Sequence, residues 1–311
     1  MPILSVKRLN KTFTVKKNFW AKPTTFTAVR DISFDMQEGE ILGLLGANGA
    51  GKTTTIQMLL GTLTATSGSI TYFGKNFFTH AEEIMQDVAC ASGYDRLPGR
   101  LTVWQNLDVF GRIYGLNDAD REGRIEKMLM HFDMVNMRDR RSATLSAGQA
   151  TRLLLAKAFL PRPKVVLLDE PTASLDPTMA AQVREFVLKQ KHEYGTSILF
   201  SSHNMEEVTQ VCDRALVMKN GIIVADDMPD KLAATIKIAH VHLFVPTSAE
   251  VLIKFLNEQS IKHEFHEHWV SVEIEEQHIA AFLSSLAQRG ITYTSIAIDK
   301  ASLEDYFLSI S

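Results

Sequence analysis

Gly46-Ala47-Asn48-Gly49-Ala50-Gly51-Lys52-Thr53 is the segment whose residue types and spacing point most directly to chemistry. It fits the phosphate-binding loop pattern GxxxxGK[ST]. Glycines let the backbone curl until successive N–H groups point at phosphate oxygens, beside the positive end of the helix that follows. Lys52 can bridge the β- and γ-phosphates of a nucleotide, the Thr53 hydroxyl can ligate Mg²⁺, and Thr54 opens the helix behind them. Such a loop needs a strand in front and a helix behind. The apolar run Ile41 to Leu45 supplies the first and the helix-forming run Thr54 to Leu60 the second.

Further along, Val165-Val166-Leu167-Leu168-Asp169-Glu170 reads as a buried strand ending in two carboxylates. Asp169 is placed to hold a water of the Mg²⁺ shell, and Glu170 to accept a proton from an attacking water. A lone strand ending in surface acids is common, but after a P-loop on the same sheet the pair reads as a Walker B arrangement. ATP and Mg²⁺ are the ligands this constellation predicts. It leaves kinases, GTPases, helicases and transport ATPases open.

Leu145-Ser146-Ala147-Gly148-Gln149 narrows the field: it resembles the LSGGQ signature of ABC ATPases, with Ala147 in place of the first glycine. The continuation from Ala150 to Ala158 is similar to that family's signature helix. Ser146 and the Gly148 backbone would stand at a helix N-terminus, an anion-binding end. Ser174-Leu175-Asp176 resembles the family's D-loop, with Pro177 suited to a first helical position. His203, after the strand Ser197 to Phe200, resembles the switch histidine that contacts the γ-phosphate. Asn204 and Glu207 are similar to an N-cap and its reciprocal partner. The resemblance spans Ile3 to Asp226 and implies that Ser146, Gly148, Gln149 and Asp176 face the nucleotide held by a second copy of the chain. ATP would then be sandwiched in a homodimer, and a lone monomer should hydrolyse poorly.

One departure stands out. ABC ATPases usually carry a glutamine ahead of a Leu-Thr-Val segment, where it contacts Mg²⁺; ahead of Leu101-Thr102-Val103 the matching position is Gly93, after Ser92. The metal shell there is expected to be completed by water, with packing by Tyr94, Leu97 and Trp104 linking the loop to its surroundings. Glycine's backbone freedom would allow an unusual path. Phe13, near the end of the first strand, fits the aromatic that stacks on adenine in this family. The insertion Thr14 to Thr27 carries Lys16, Lys17, Phe19, Trp20, Lys22 and Phe26 and reads as an extended hairpin solvated by its lysines, the alternative being a basic-aromatic stretch that touches a membrane surface or the permease. His263, His266 and His268 lie close together, but alternation along a hairpin points His263 and Phe265 one way and Glu264 and His266 the other, which argues against a metal site.

The elements that must position these residues divide the chain. Short β-branched segments alternate with turns from Ile3 to Gly74; Val103 to Phe132 is helical, broken at Gly115-Leu116-Asn117-Asp118; helices and apolar strands alternate from Ala147 to Val224. The expected ABC ATPase domain is 1–228, a mixed-sheet α/β core with an antiparallel β subdomain and a helical subdomain at about 93–150. Residues 229–239 read as a linker. Residues 240–311 follow the order βαββαβ of a small ferredoxin-like α+β domain.

With 311 residues, 45% hydrophobic and 22% charged, the chain can bury a sizeable core. A net charge of −3 argues against a nucleic-acid partner. Its two cysteines, Cys90 and Cys212, lack CxxC spacing and read as free thiols in a reducing compartment. No run of about 18 apolar residues is present, so a membrane role requires another polypeptide. The resemblance thus implies the ATP-hydrolysing subunit of an ABC transporter, peripheral on the cytoplasmic face of the cell membrane, powering an integral permease. The tail, ending Ala301 to Phe307, resembles accessory domains of bacterial exporter ATPases, which implies export. The alternative is a soluble ABC ATPase acting on ribosomes or chromosomes; one P-loop and no sustained heptads count against it.

Overall fold

The computed structural model describes residues 1–15, 24–93, 95–247 and 249–310. They form two units, Met1–Pro229 and Asp230–Ser311. In the first, β1 (Leu4–Val15) pairs antiparallel with β2 (Thr24–Met36). The flanks of the 14–27 insertion are therefore ladder residues; Lys16, Lys17, Phe19, Trp20 and Lys22 lie outside the described residues. β3 (Ile41–Leu45) is buried along its whole length and leads through the P-loop into α1 (Lys52–Leu59). β4 (Ser67–Tyr72) and β5 (Lys75–Asn76) complete an antiparallel sheet of order β2-β1-β4-β5.

α2 (Phe77–Met85) and β6 (Val88–Ser92) follow. α3 (Val103–Ile113) opens on a full capping box, Thr102 with Gln105, and α4 (Asp118–His131) on an Asn117 cap. Arg121 pins these two helices from a buried position, donating to Asp108 Oδ1, Asp118 Oδ1 and the Leu116 carbonyl at 2.5, 2.7 and 3.1 Å. Next come α5 (Ala147–Phe159), β7 (Val165–Asp169), α6 (Pro177–Tyr194), β8 (Ser197–Ser202), α7 (Met205–Val211), β9 (Arg214–Lys219) and β10 (Ile222–Asp227).

The second sheet runs β10-β9-β3-β8-β7-β6, parallel except for β10. β3, β7 and β8 have every residue buried, as inner strands of a sheet covered on both faces require; β3 and β7 are apolar almost throughout, and β8 is apolar from Ile198 to Phe200 with serines at its ends. Parallel register brings the carboxyl ends of β3, β6, β7 and β8 to one edge: Leu45 pairs with Ser202, and Asp169 lies between Ser92 and Ser201. That edge is where an open α/β sheet holds its ligand.

In the second unit α8 (Pro229–Ala233) leads to β11 (Ile238–Phe244), then α9 (Ala249–Glu258), β12 (His263–His266), β13 (Trp269–Glu275), α10 (Ile279–Gln288), β14 (Ser295–Lys300) and α11 (Leu303–Ile310). The sheet order β12-β13-β11-β14, antiparallel throughout, is the ferredoxin-like arrangement. Val241, Leu243, Leu256, Val270, Val272 and Leu286 form its core.

Three segments differ from expectation. Residues 229–239 are not a bare linker: Pro229 starts a helix, where its fixed φ is favourable, and β11 begins at Ile238. β10 carries alternating exposed and half-buried positions, with Ile222 and Val224 among the exposed ones, an edge strand whose apolar and polar residues do not follow a two-residue alternation. α2 is interrupted at His80, whose φ of −131° lies outside the helix, and this blurs its periodicity.

Candidate functional site

The P-loop geometry follows from three glycines. A Cβ on Gly46 would lie 2.6 Å from the Met218 carbonyl, and one on Gly51, at φ 110°, 2.8 Å from the Ala28 carbonyl. Gly49 adopts φ 82°. Alanine would clash at the first two and be strained at the last two. The loop wraps Lys52, whose side chain is 5% exposed and whose Nζ donates to the Gly46 and Ala47 carbonyls at 2.6 and 3.4 Å. Ala47, Asn48, Gly49, Gly51, Lys52, Thr53 and Thr54 line a cavity of about 580 Å³. Gly46 and Ala50 are not among the lining residues; a Cβ on Gly46 would lie 3.0 Å from that of Ala50.

Asp169 and Glu170 line the same cavity. Asp169 is buried; its Oδ1 accepts from Ser201 Oγ at 2.7 Å and its Oδ2 from Ser92 Oγ at 3.4 Å. Glu170 turns at φ 51°, its N–H donating to Ser201 Oγ at 3.1 Å. Its carboxylate lies between two cationic or protonatable groups, Lys52 Nζ at 3.4 Å from Oε1 and His203 Nδ1 at 3.1 Å from Oε2. Ser92 and Ser201 are site residues that the sequence reading missed. Only the strand register, which sets both beside Asp169, could have found them.

The donor set can be tested against Mg²⁺. It offers the Thr53 hydroxyl and one buried carboxylate oriented by two hydroxyls, all oxygen, on the cavity where phosphates would lie. A hard cation that keeps several waters and shares its ligands with substrate phosphates fits such a set. Among the described residues no group of three or more His, Cys, Asp or Glu side chains could hold a metal by itself.

Phe13 lines the cavity together with Phe26, its ladder partner across β1 and β2. Lys11 Nζ lies 4.9 Å from the Phe13 ring centroid. The candidate adenine platform is therefore two rings, one of them contributed by the end of the insertion.

Gly93 also lines the cavity, and a Cβ placed there would meet nothing within 4 Å. Its φ is not left-handed, so the unusual backbone path expected of a glycine is absent. Of the packing residues expected around it, Tyr94 lies outside the described residues, Leu97 is half-buried, and Trp104 stacks instead under Arg138, 4.3 Å from ring centroid to guanidinium carbon.

The signature residues stand elsewhere. Ser146 caps α5 by accepting from Gln149 N–H at 3.3 Å, and Gln149 Oε1 accepts from Ser146 N–H at 3.0 Å. A Cβ on Gly148 would approach the Ser174 carbonyl at 3.2 Å, and Thr151 Oγ1 lies 2.8 Å from Ser174 Oγ, so the signature helix rests on the D-loop. Asp176 caps α6 through Met179 N–H at 3.0 Å. None of Ser146, Gly148, Gln149 and Asp176 lines the cavity formed around Lys52. His203 lines an adjoining one, with Glu170 on the wall between them.

Asn204 caps α7 as expected, but Glu207 is not its reciprocal partner. Glu207 is buried and accepts from Thr172 Oγ1, Ser202 Oγ and Arg184 Nη1 at 2.7, 3.1 and 3.3 Å. A buried carboxylate takes the nearest donors, and the Asn204 N–H goes to Ser202 Oγ instead.

Comparison with known proteins places these observations. The ABC transporter family matches residues 29–173. The ABC transporter ATP-binding protein NatA of Bacillus subtilis is 38% identical over 209 residues, 67% of this chain and 85% of that protein. Nod factor export ATP-binding protein I of Burkholderia lata is 36% identical over 235 residues, 75% of this chain and 73% of that protein. A solved structure of an ATP-binding subunit of an ABC transporter superposes with a TM-score of 0.65 at 26% identity, over 75% of this chain and 92% of the other.

Proposed function

The chain belongs to the family of ABC transporter ATP-binding proteins, and from that premise we propose that it drives an exporter as a homodimer beneath a separate integral permease. One observation carries the dimer. The exposed N-terminus of α5, with Ser146, Gly148 and Gln149, is absent from the lining of its own chain's nucleotide cavity. An anion-binding helix end without phosphates of its own suits those held by a second copy.

Within each cavity the division of labour follows from geometry. The ring of Phe13, with Phe26 beside it, stacks on the base. The α1 N-terminus and Lys52 hold the phosphates. Thr53 and Asp169 would hold Mg²⁺, which when bound would offset charge on the β- and γ-phosphate oxygens. Ser201 and Ser92 keep the Asp169 carboxylate oriented. Glu170 accepts the proton of the attacking water, and His203, 3.1 Å from it, holds that carboxylate in line and reaches toward the γ-phosphate.

At Gly93 no side chain supplements this set. Gly93→Gln has room for its side chain, so it should change the Mg²⁺ concentration for half-maximal ATPase by about threefold or more while leaving ATP affinity within about twofold. Parallel Mg²⁺ and ATP titrations of the two proteins check this. Equal Mg²⁺ dependence would mean that water does not stand where a glutamine could.

The permease reading rests on a groove of about 650 Å³ between the sheet core and the helices α3 and α5. Met85, Cys90, Phe110, Ile113 and Lys157 line it, and Ile113 is 70% exposed. Its lining mixes these apolar side chains with Glu82, Gln86 and Lys157, which suits an amphipathic helix. Among the described residues no helix is long and apolar enough to cross a membrane. As an ATP-binding subunit of a transporter, the chain would act peripherally, on the cytoplasmic face of the cell membrane. Export is supported by the Burkholderia lata relative, whose name assigns it to Nod factor export. With a photocrosslinker on Ile113→Cys, an adduct to a multi-span membrane protein is expected, and the same probe on Tyr194→Cys should give none. Adducts only to ribosomal proteins would overturn the transporter reading.

A further inference from the structure

We propose that the ion pair of Asp95 and Lys157 ties the nucleotide cavity to the signature helix, the link for which Gly93 has no side chain. β6 ends at Ser92, whose hydroxyl reaches Asp169. Gly93 then lines the cavity. Two residues on, the Asp95 N–H donates to the Ser92 carbonyl at 2.9 Å, so that the turn folds back on the strand end. The Asp95 carboxylate accepts from Lys157 Nζ at 3.1 Å, with the Cys90 thiol 3.7 Å away on the same oxygen. Burial pushes the Cys90 thiol up to about 11, so it stays a proton donor.

Lys157 belongs to the last turn of α5, the helix whose first turn carries Ser146, Gly148 and Gln149. Its side chain is 13% exposed, and its Nζ lies 5.1 Å from the ring centroid of Phe110 on α3. Three elements therefore meet at one ammonium: the turn leaving the cavity, the signature helix and a helix of the 93–150 segment. Lys157 is the more buried partner and Asp95 is 32% exposed, so separating the pair strands chiefly the ammonium among apolar neighbours. α5 is a rod of roughly 20 Å, so a shift at Lys157 reaches Ser146 without loss. Asp95 and Lys157 are positioning residues: they touch no phosphate. They fix where the partner's nucleotide finds the signature end, and so this inference rests on the two-subunit reading.

The test separates positioning from simple helix stabilisation. Asp95→Asn and Lys157→Met should each lower kcat about tenfold and leave KM for ATP within about twofold. Lys157→Arg, which keeps the charge, should retain most of the wild-type kcat. The swap of Asp95→Lys with Lys157→Asp puts an acid at a helix C-terminus, which is unfavourable there, and it should still recover about half of the wild-type kcat. Singles within about twofold of wild-type kcat would overturn the proposal. So would a swap no better than the worse single with melting temperature unchanged. If the swap does not fold, Lys157→Arg against Lys157→Met decides, and equal losses in both overturn it. ATP-driven association of a Glu170→Gln protein is measured in parallel by light scattering. Its absence would remove the two-subunit reading, while the kcat comparison still judges the ion pair.

Discussion

Glu170→Gln should bind ATP as the parent does and turn it over roughly 10²–10⁴-fold more slowly, the usual contribution of a positioned general base. The amide has no lone-pair site basic enough to take the water's proton, and the fold has no second acid in the same place. Asp169 is already committed to Ser201 and Ser92. The substitution is nearly isosteric; the Glu170 carboxylate pairs with Lys52 and His203, and its backbone bonds to the β8 edge and Ala173 are unchanged by it, so the P-loop cradle stays intact. Closure without hydrolysis should accumulate an ATP-bound dimer. Steady-state ATPase, equilibrium nucleotide binding and light scattering together read the three parts. A near-parental kcat would take Glu170 out of the base role.

Lys52→Ala and Ser146→Arg should each inactivate the protein, yet mixing the two should bring activity back. In a homodimer of either variant both composite sites carry the lesion. In a mixed dimer both lesions fall into one site, and the other pairs an intact P-loop with an intact signature end. Nucleotide counting on trapped mixed dimers should therefore find one tightly held ATP, against none in either parent variant. Lys52 is the buried cation of the cavity, and a bulky cation at Ser146 blocks the helix end; its lost cap costs only about 1 kcal/mol, so folding is kept. If Ser146→Arg alone kept full activity, the helix end would have no part in catalysis and the sites would be monomeric.

The parts of this molecule legible in sequence are those written locally. The run Ile41 to Leu45 followed by the P-loop needs only neighbouring residues to specify strand, turn and helix, and the structure places them so. The Asn204 cap, Ser146 at a helix start and Pro177 as a first helical residue also act within one turn of chain. What stayed hidden is set by pairing across strands. Ser92 and Ser201 are far from Asp169 in sequence and meet it only through the β6-β7-β8 register. Phe26 became a site residue through its ladder pairing with Phe13. Glu207 misled for the opposite reason: its spacing from Asn204 suits a capping box, but burial hands it to Thr172, Ser202 and Arg184. α11 escaped because one short amphipathic stretch at a chain end carries too few turns to establish a period.

The contact between Lys52 and Glu170 has a bearing on when the enzyme spends its fuel. The same ammonium that greets a γ-phosphate otherwise leans on the carboxylate that must receive the water's proton. With Nζ and Oε1 3.4 Å apart, the pair holds that carboxylate against the loop, and phosphates laid on the loop would compete for the same ammonium. The group that is to receive the water's proton thus shares its cation with the substrate. Filling the loop would loosen that pair, so occupancy of the cradle and readiness of the base would be coupled through one ammonium.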